Sequence, residues 1–202
     1  MSSLQSNPEP VGNSGLAKLA LRDQLLTARR RRSLVAVGAA ARAIADELLA
    51  APEVRRAATV AGYVSVGSEP GTTALLDRLV DAGKRVILPV LLPDNDLDWS
   101  TYHGGTSLAP AGRGLLEPLG PRLGVDAIAT ADAVLVPGLA VSPTGQRLGR
   151  GGGSYDRALA RVPVGTFTCV LLYADETGHP VPTEPHDRAV TAVATPEGIT
   201  RF

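Results

Sequence analysis

The sequence has one cysteine, few aromatic residues and no net charge. A single thiol excludes a disulfide framework and suits a reducing compartment. Cys169 lies in the run TFTCVLLYA and reads as a small buried hydrophobe in a strand. Twenty basic and twenty acidic side chains cancel, which argues against a general nucleic-acid or anionic-membrane binder, because such proteins need an extended positive field. Basic chemistry must therefore be local. No apolar run reaches the ~18 residues that span a bilayer. Residues 1–15, MSSLQSNPEPVGNSG, lack the hydrophobic core of a secretory signal. We expect a cytoplasmic protein with no membrane and no nucleic-acid partner. No Ser-His-Asp or Cys-His set is apparent; His103, His179 and His186 are isolated in sequence and read as surface or structural residues rather than ligands.

With 44% hydrophobic residues, residues 16–202 can bury one core and are read as a single domain. Residues 1–15 are polar and rich in Pro, Gly, Ser and Asn, the composition of a disordered lead-in. Leu16, Leu19, Ala20, Leu26 and Ala28 fall mostly at helical spacing, and Ser33 can cap a second helix to about Leu49. Between these helices, Arg29–Arg32 reads as a solvated helix end, which the helix dipole favours, in preference to an RNA-contact patch.

Strands are expected over 57–66, 84–90, 131–141, 165–174 and 187–195, with helices over 72–83 and 154–162. Residues 97–103 alternate like a solvent-facing strand, and 108–124 read as loop, punctuated by Gly and Pro. The order predicts an α/β three-layer sandwich: a mainly parallel central sheet with helices on both faces, preceded by two N-terminal helices. Ligands in such sheets sit beyond the carboxyl ends of the strands.

One stretch stands at such a place. RLGRGGGSYDRAL (147–159) puts three consecutive glycines between a strand and a helix. Glycine costs stability in packed regions, so close approach of another group to this backbone is the reason to keep it. Backbone N–H groups at a helix start can cradle phosphate oxygens. The stretch is not a Walker loop, and Ser154 falls where a dinucleotide fingerprint needs its last glycine. Alone, it could be a plain tight turn. Arg147 and Arg150 bracket the glycines with groups suited to bidentate phosphate contact. Arg157 reads as a surface charge. Asp156 is either a first-turn helix carboxylate or a Mg²⁺ ligand, and the residues alone leave both open.

VPGLAVSPTGQRLGRGGGSYDRAL (136–159) resembles the signature of the 5-formyltetrahydrofolate cyclo-ligase family. KLALR (18–22), YVSVGSEPGT (63–72), GLLEP (114–118) and EPHDRAVTAVATPEGI (184–199) match further family segments in the right order. The resemblance covers nearly all of the chain from Lys18 onward. It implies small-molecule substrates, ATP and 5-formyltetrahydrofolate, with Mg²⁺, and we take the enzyme as a monomer. It implies nucleotide contacts from Lys18, Arg22, Arg147, Leu148, Gly149, Arg150, Gly151, Gly152, Gly153, Ser154 and Tyr155, with Arg150 and Tyr155 as catalytic members. Lys18 and Arg22, four apart, share one helix face. Asp156 matches a magnesium ligand; Tyr63, Val64 and Glu69 match the folate site. Glu69 keeps a second reading, as an acid capping the helix that starts at Thr72.

The implied reaction phosphorylates the formyl oxygen, which is otherwise a very poor leaving group, and then closes the ring to the 5,10-methenyl product, releasing ADP and phosphate. Two positions depart from the family pattern: Ser154 replaces an aromatic, and Thr191 stands where an acid is frequent. A non-catalytic nucleotide- or folate-binding protein on the same scaffold is the alternative. A sugar-phosphate isomerase rests on fold likeness alone.

Overall fold

Helix α1 (Gly12–Arg30) and helix α2 (Leu34–Ala50) meet at Ser33, whose hydroxyl oxygen accepts from Ala36 N at 3.2 Å and caps α2 as expected. This computed structural model describes residues 12–202, with side chains from residue 14 onward. Of the expected lead-in, residues 1–11 lie outside the described residues, and residues 12–15 form the first turn of α1.

The arginine run is not simply a solvated helix end. Arg29 is fully buried and forks onto the Glu176 carboxylate from Nε and Nη2, both at 2.7 Å. Its Nη2 also donates to Gly138 O at 2.7 Å. Arg32 lies over the Tyr173 ring, 4.0 Å from its centroid, while Arg30 and Arg31 face solvent. A buried guanidinium needs its charge matched, and the matching acid comes from a segment 147 residues away, while Arg29 Nη1 has no partner among the described residues.

After the short helix α3 (Pro52–Arg56), the chain lays down β1 (Thr59–Ala61), α4 (Thr73–Asp81), β2 (Arg85–Leu91) and β3 (Leu97–Thr101). A small hairpin, β4 (Leu108–Pro110) and β5 (Leu116–Pro118), stands within the expected loop. Then come β6 (Ala133–Pro137), the tight pair β7 (Ala140–Val141) and β8 (Arg147–Leu148), α5 (Ser154–Leu159), β9 (Phe167–Leu171), β10 (Ala192–Thr195) and β11 (Gly198–Arg201). The main sheet has the order β11-β10-β9-β6-β1-β2-β3. Its five inner strands are parallel, and the antiparallel β11 and β3 close the two edges. This is the expected α/β architecture.

Several strands depart from expectation: the expected 187–195 narrows to β10, the expected 131–141 divides into β6 and β7, and β11 is an added edge strand; two further departures bear on the core and the site. β3 is not solvent-facing: Trp99 and Ser100 are fully buried, because Ile128, from the 3₁₀ turn Val125–Thr130, packs in the same core as Trp99. β1 is shorter than the expected 57–66. After Gly62 the backbone is claimed by a side chain: Thr72 Oγ1 accepts from Ser65 N at 2.9 Å and donates to Tyr63 O at 2.7 Å. The extended segment therefore becomes a loop that carries Tyr63, Val64 and Glu69 past the sheet.

On one face, Ile44 and Leu48 of α2 and Leu75, Leu76 and Leu79 of α4 pack on Val60, Val86 and Leu88. Each such buried side chain stabilises by about 1.5–3 kcal/mol. On the other face, Ala158, Leu159 and Ile128 cover Ala61, Ile87, Val134 and Val136. A third cluster joins Leu25 of α1 to Leu139, Ala140, Leu148 and Val181, which seats α1 on the β7–β8 pair and brings its first turns toward the glycine loop. Among the described residues, no helix is long and apolar enough to cross a membrane.

Candidate functional site

A cavity of about 960 Å³ opens beyond the carboxyl ends of β1, β2 and β6, where ligands of parallel sheets sit. Every sequence-predicted site residue lines it: Lys18, Arg22, Tyr63, Val64, Glu69, the whole of Arg147–Tyr155, and Asp156.

The glycine loop is built around guanidinium groups. A Cβ on Gly149 would lie 2.7 Å from Arg147 Nη1, and one on Gly151 would lie 3.6 Å from Arg22 Cζ. Gly151 (φ 100°) and Gly153 (φ 69°) also hold left-handed backbone, which only glycine adopts without cost. Arg22 reaches across from α1 to donate from Nε to Gly149 O at 2.8 Å. Arg147 is buried; it donates from Nη2 to Asp156 Oδ1 at 3.0 Å and from Nη1 to Pro137 O at 3.2 Å. Its guanidinium carbon lies 5.8 Å from the Tyr155 ring centroid.

Opposite the loop, Glu69 is buried. Its Oε2 accepts from Val66 N at 2.8 Å, and its Oε1 from Arg150 Nε at 3.1 Å. The helix-cap reading of Glu69 fails, because its partners are its own turn and Arg150, while no side chain caps α4. Tyr63 and Tyr155 stand near it. Burial, and next the Glu69 carboxylate, push both phenols well above the ordinary tyrosine value. Both phenols therefore stay protonated and are available to donate a hydrogen bond. The Tyr63 hydroxyl is buried with no partner among the described residues, a cost that a ligand acceptor would relieve. Ser154, where the family pattern has an aromatic, lines the same cavity.

Sequence reasoning missed one group here. Lys18 Nζ donates to Glu184 Oε2 at 2.8 Å and to Asp187 Oδ2 at 2.7 Å. Burial works against the Lys18 charge, but hydrogen bonds to these two acids outweigh it and raise the pKa. For Asp187, burial is likewise outweighed by Lys18 and by Glu184 N, and its carboxyl lies below the ordinary value. His186, expected as a surface or structural residue, is exposed yet lines the cavity, its Nε2 3.7 Å from both carboxylates. The EPHD quartet was the available signal; its pairing with α1 was not readable.

Ligand atoms from Glu184, His186 and Asp187 lie within 4.8 Å of one another. Arg188 N donates to Asp156 Oδ1 at 3.3 Å, placing Asp156 beside this segment. Carboxylate oxygens are the hard donors that Mg²⁺ prefers, and Glu184 and Asp187, with Asp156 beside their segment, are of the right chemistry for that ion, although here they are paired with Lys18 and Arg147. Thr191 lies apart: it exchanges hydrogen bonds with Thr168 at the entry to β10 and does not line the cavity. Its lack of a carboxylate leaves the cavity lining unaltered.

Three comparisons bear on this geometry. A sequence model of the 5-formyltetrahydrofolate cyclo-ligase family matches residues 15–196. A 5-formyltetrahydrofolate cyclo-ligase of Mycolicibacterium smegmatis is 46% identical over 144 residues, 69% of this chain and 74% of that protein. The protein of the same name from Escherichia coli K12 is 34% identical over 164 residues, 77% of this chain and 87% of its own. Among solved structures, the 5,10-methenyltetrahydrofolate synthetase of Aquifex aeolicus superposes with a TM-score of 0.79 at 26% identity, covering 91% of this chain and 92% of that one. The synthetase of Mycoplasma pneumoniae, at 19% identity and a TM-score of 0.71, covers 89% and 98% and shares the fold.

Proposed function

The chain belongs to the 5-formyltetrahydrofolate cyclo-ligase family, and from that premise we propose that it uses ATP to close 5-formyltetrahydrofolate to 5,10-methenyltetrahydrofolate. The observation that carries the reading is the gathering of Arg22, Arg147 and Arg150 at one glycine loop that faces Glu69 across a cavity which Lys18 also lines.

In the first step the formyl oxygen takes the γ-phosphoryl group and ADP departs. In the second, N10 bonds to the activated formyl carbon, the carbon–oxygen bond breaks, phosphate leaves, and the N10 proton is lost. Phosphoryl transfer asks a protein for positioning and charge neutralisation rather than a nucleophile. Arg22 and Arg147, with the loop N–H groups, hold the phosphates in line, and Arg150 stands between the loop and Glu69, where the two substrates meet. Tyr155, kept protonated, donates a hydrogen bond beside the reacting formyl group. Glu69 accepts from the pterin N–H groups, and the Tyr63 hydroxyl gains the partner it lacks. Asp156, with Glu184 and Asp187, would hold Mg²⁺, which when bound neutralises charge on the phosphate oxygens.

The deciding measurement is optical. Purified enzyme with 5-formyltetrahydrofolate, Mg²⁺ and ATP should develop the near-ultraviolet absorbance of the methenyl product, with one ADP per turnover. Folate binding with no absorbance change on adding ATP would instead favour a non-catalytic binding protein.

A further inference from the structure

Tyr173 is buried and does not line the cavity, yet its hydroxyl donates to Ser68 O at 3.1 Å, next to Glu69. Ser68 sits in the turn 66–69, which is closed by Glu69 N on Val66 O at 3.3 Å and by Val66 N on Glu69 Oε2 at 2.8 Å. At Gly67 (φ 62°) a Cβ would meet nothing within 4 Å, so the turn is open on that side. Among the described residues, two hydrogen bonds reach this turn from elsewhere in the chain: Arg150 Nε onto Glu69 Oε1, and Tyr173 Oη onto Ser68 O. Arg150 is half-exposed on the glycine loop, whereas Tyr173 holds the turn from outside the cavity.

Tyr173 is itself held from several directions. Its backbone N–H donates to Glu176 Oε2 at 3.0 Å, on the carboxylate that also takes the Arg29 fork. The guanidinium carbons of Arg29 and Arg32 lie 5.6 Å and 4.0 Å from its ring centroid, and the ring quadrupole attracts a cation so placed. Burial raises the Tyr173 phenol above the ordinary value, although the two arginines lower it. The hydroxyl therefore keeps the proton that Ser68 O accepts. Arg29 stands in the last turn of α1 and Arg32 just beyond it, so the helix that brings Arg22 to the glycine loop also braces this ring.

Resting on the folate reading above, we propose that Tyr173 is a positioning residue: its hydroxyl fixes Ser68, and through it the Glu69 carboxylate, with the end of α1 as the support of the ring. A carboxylate fixed in place before the ligand arrives lowers the ordering cost of binding. Tyr173 touches neither substrate and acts only through Glu69.

The test is calorimetric, with ATP left out. 5-Formyltetrahydrofolate and, separately, ADP with Mg²⁺ are titrated into wild type, Tyr173→Phe, Glu69→Gln and the double variant. Tyr173→Phe keeps the ring under the arginines and removes only the donor. Its dissociation constant for 5-formyltetrahydrofolate should rise about three- to tenfold, the effect of one hydrogen bond, while that for ADP stays within about twofold of wild type. On the Glu69→Gln background the same change should cost less than about twofold, because the hydroxyl then has no carboxylate to position. Arg32→Ala, which frees the ring from outside the core, should weaken folate binding in the same direction by about twofold, and it carries the test if Tyr173→Phe melts early. Unchanged folate affinity in both single variants overturns the proposal. So does a loss equal for folate and ADP, or one undiminished on the Glu69→Gln background, since either marks a general loss of structure. Wild type that shows the expected cycle yet makes no methenyl product with ATP sinks the reaction while the positioning role stands. Wild type that fails to bind 5-formyltetrahydrofolate overturns both.

Discussion

Arg150 Nε donates to Glu69 Oε1 across 3.1 Å, tying the glycine loop to the segment that follows β1. Each partner is the residue expected to engage a different substrate. Arg150→Ala should lower kcat/KM for ATP about ten- to hundredfold, the loss of one charge-assisted hydrogen bond of roughly 1.5–3 kcal/mol. The fold should survive, because half of the Arg150 side chain is exposed. Glu69→Gln should act first on the KM for 5-formyltetrahydrofolate. Steady-state kinetics with each substrate varied separates the two, and an Arg150→Ala enzyme with unaltered ATP kinetics would count against the phosphate loop.

Two alanine substitutions in the loop should act in different ways. Gly149→Ala puts a methyl group 2.7 Å from Arg147 Nη1, part of a buried guanidinium bonded to Asp156 and to Pro137 O, so the guanidinium is pushed off those partners. Stability should fall by about 1–3 kcal/mol and ATP affinity about tenfold. Gly151→Ala makes only ordinary contacts but forces a side chain onto φ 100° and should cost about 1–2 kcal/mol by strain alone. Nucleotide titration beside thermal melts checks both: in an Arg147→Ala background the Gly149→Ala loss should largely vanish while the Gly151→Ala loss persists, and equal losses there would contradict the geometry.

The Lys18 cluster predicts a pH window. The Asp187 carboxyl is held below the ordinary value, so its contribution is fully present above about pH 3.9 and disappears as pH falls through the depressed folded value. The Lys18 pKa is raised, so its contribution is full below about pH 10.4 and is lost as pH rises through the higher folded value. Asp187→Asn should therefore cost about 1.5–3 kcal/mol evenly from about pH 5 to 9. Its deficit against wild type should fade toward pH 2. Denaturant melts across that range would show it; a deficit as large at pH 2 as at neutrality would refute the pairing.

Arg29 and Glu176 form a buried pair, with 0% and 2% of their side chains exposed. Removing one partner leaves an uncompensated buried charge, so Arg29→Ala should destabilise by about 3–5 kcal/mol. The double replacement Arg29→Met/Glu176→Leu should recover most of that loss, since apolar side chains of similar volume satisfy the same space. Urea unfolding of the three variants measures it. A double variant no better than Arg29→Ala would mean that the hydrogen bond to Gly138 O dominates.

What the sequence by itself determined is local. The Ser33 cap, the amphipathic helix near 72–83, the apolar inner strands and the glycine loop with its arginines all follow from spacing and backbone preference over a few residues. The shared face of Lys18 and Arg22 does too, because helical periodicity alone places residues four apart together. Tertiary structure decided what those residues meet. Nothing near Lys18 in sequence points to acids 166 and 169 residues away, and nothing in a run of four arginines marks the first as buried. The alternating pattern of 97–103 suggested an exposed face that a distant 3₁₀ turn covers. The physical reason is one of range: propensity and periodicity act within a turn or a strand, whereas burial and charge pairing depend on which segments the packed sheet brings side by side.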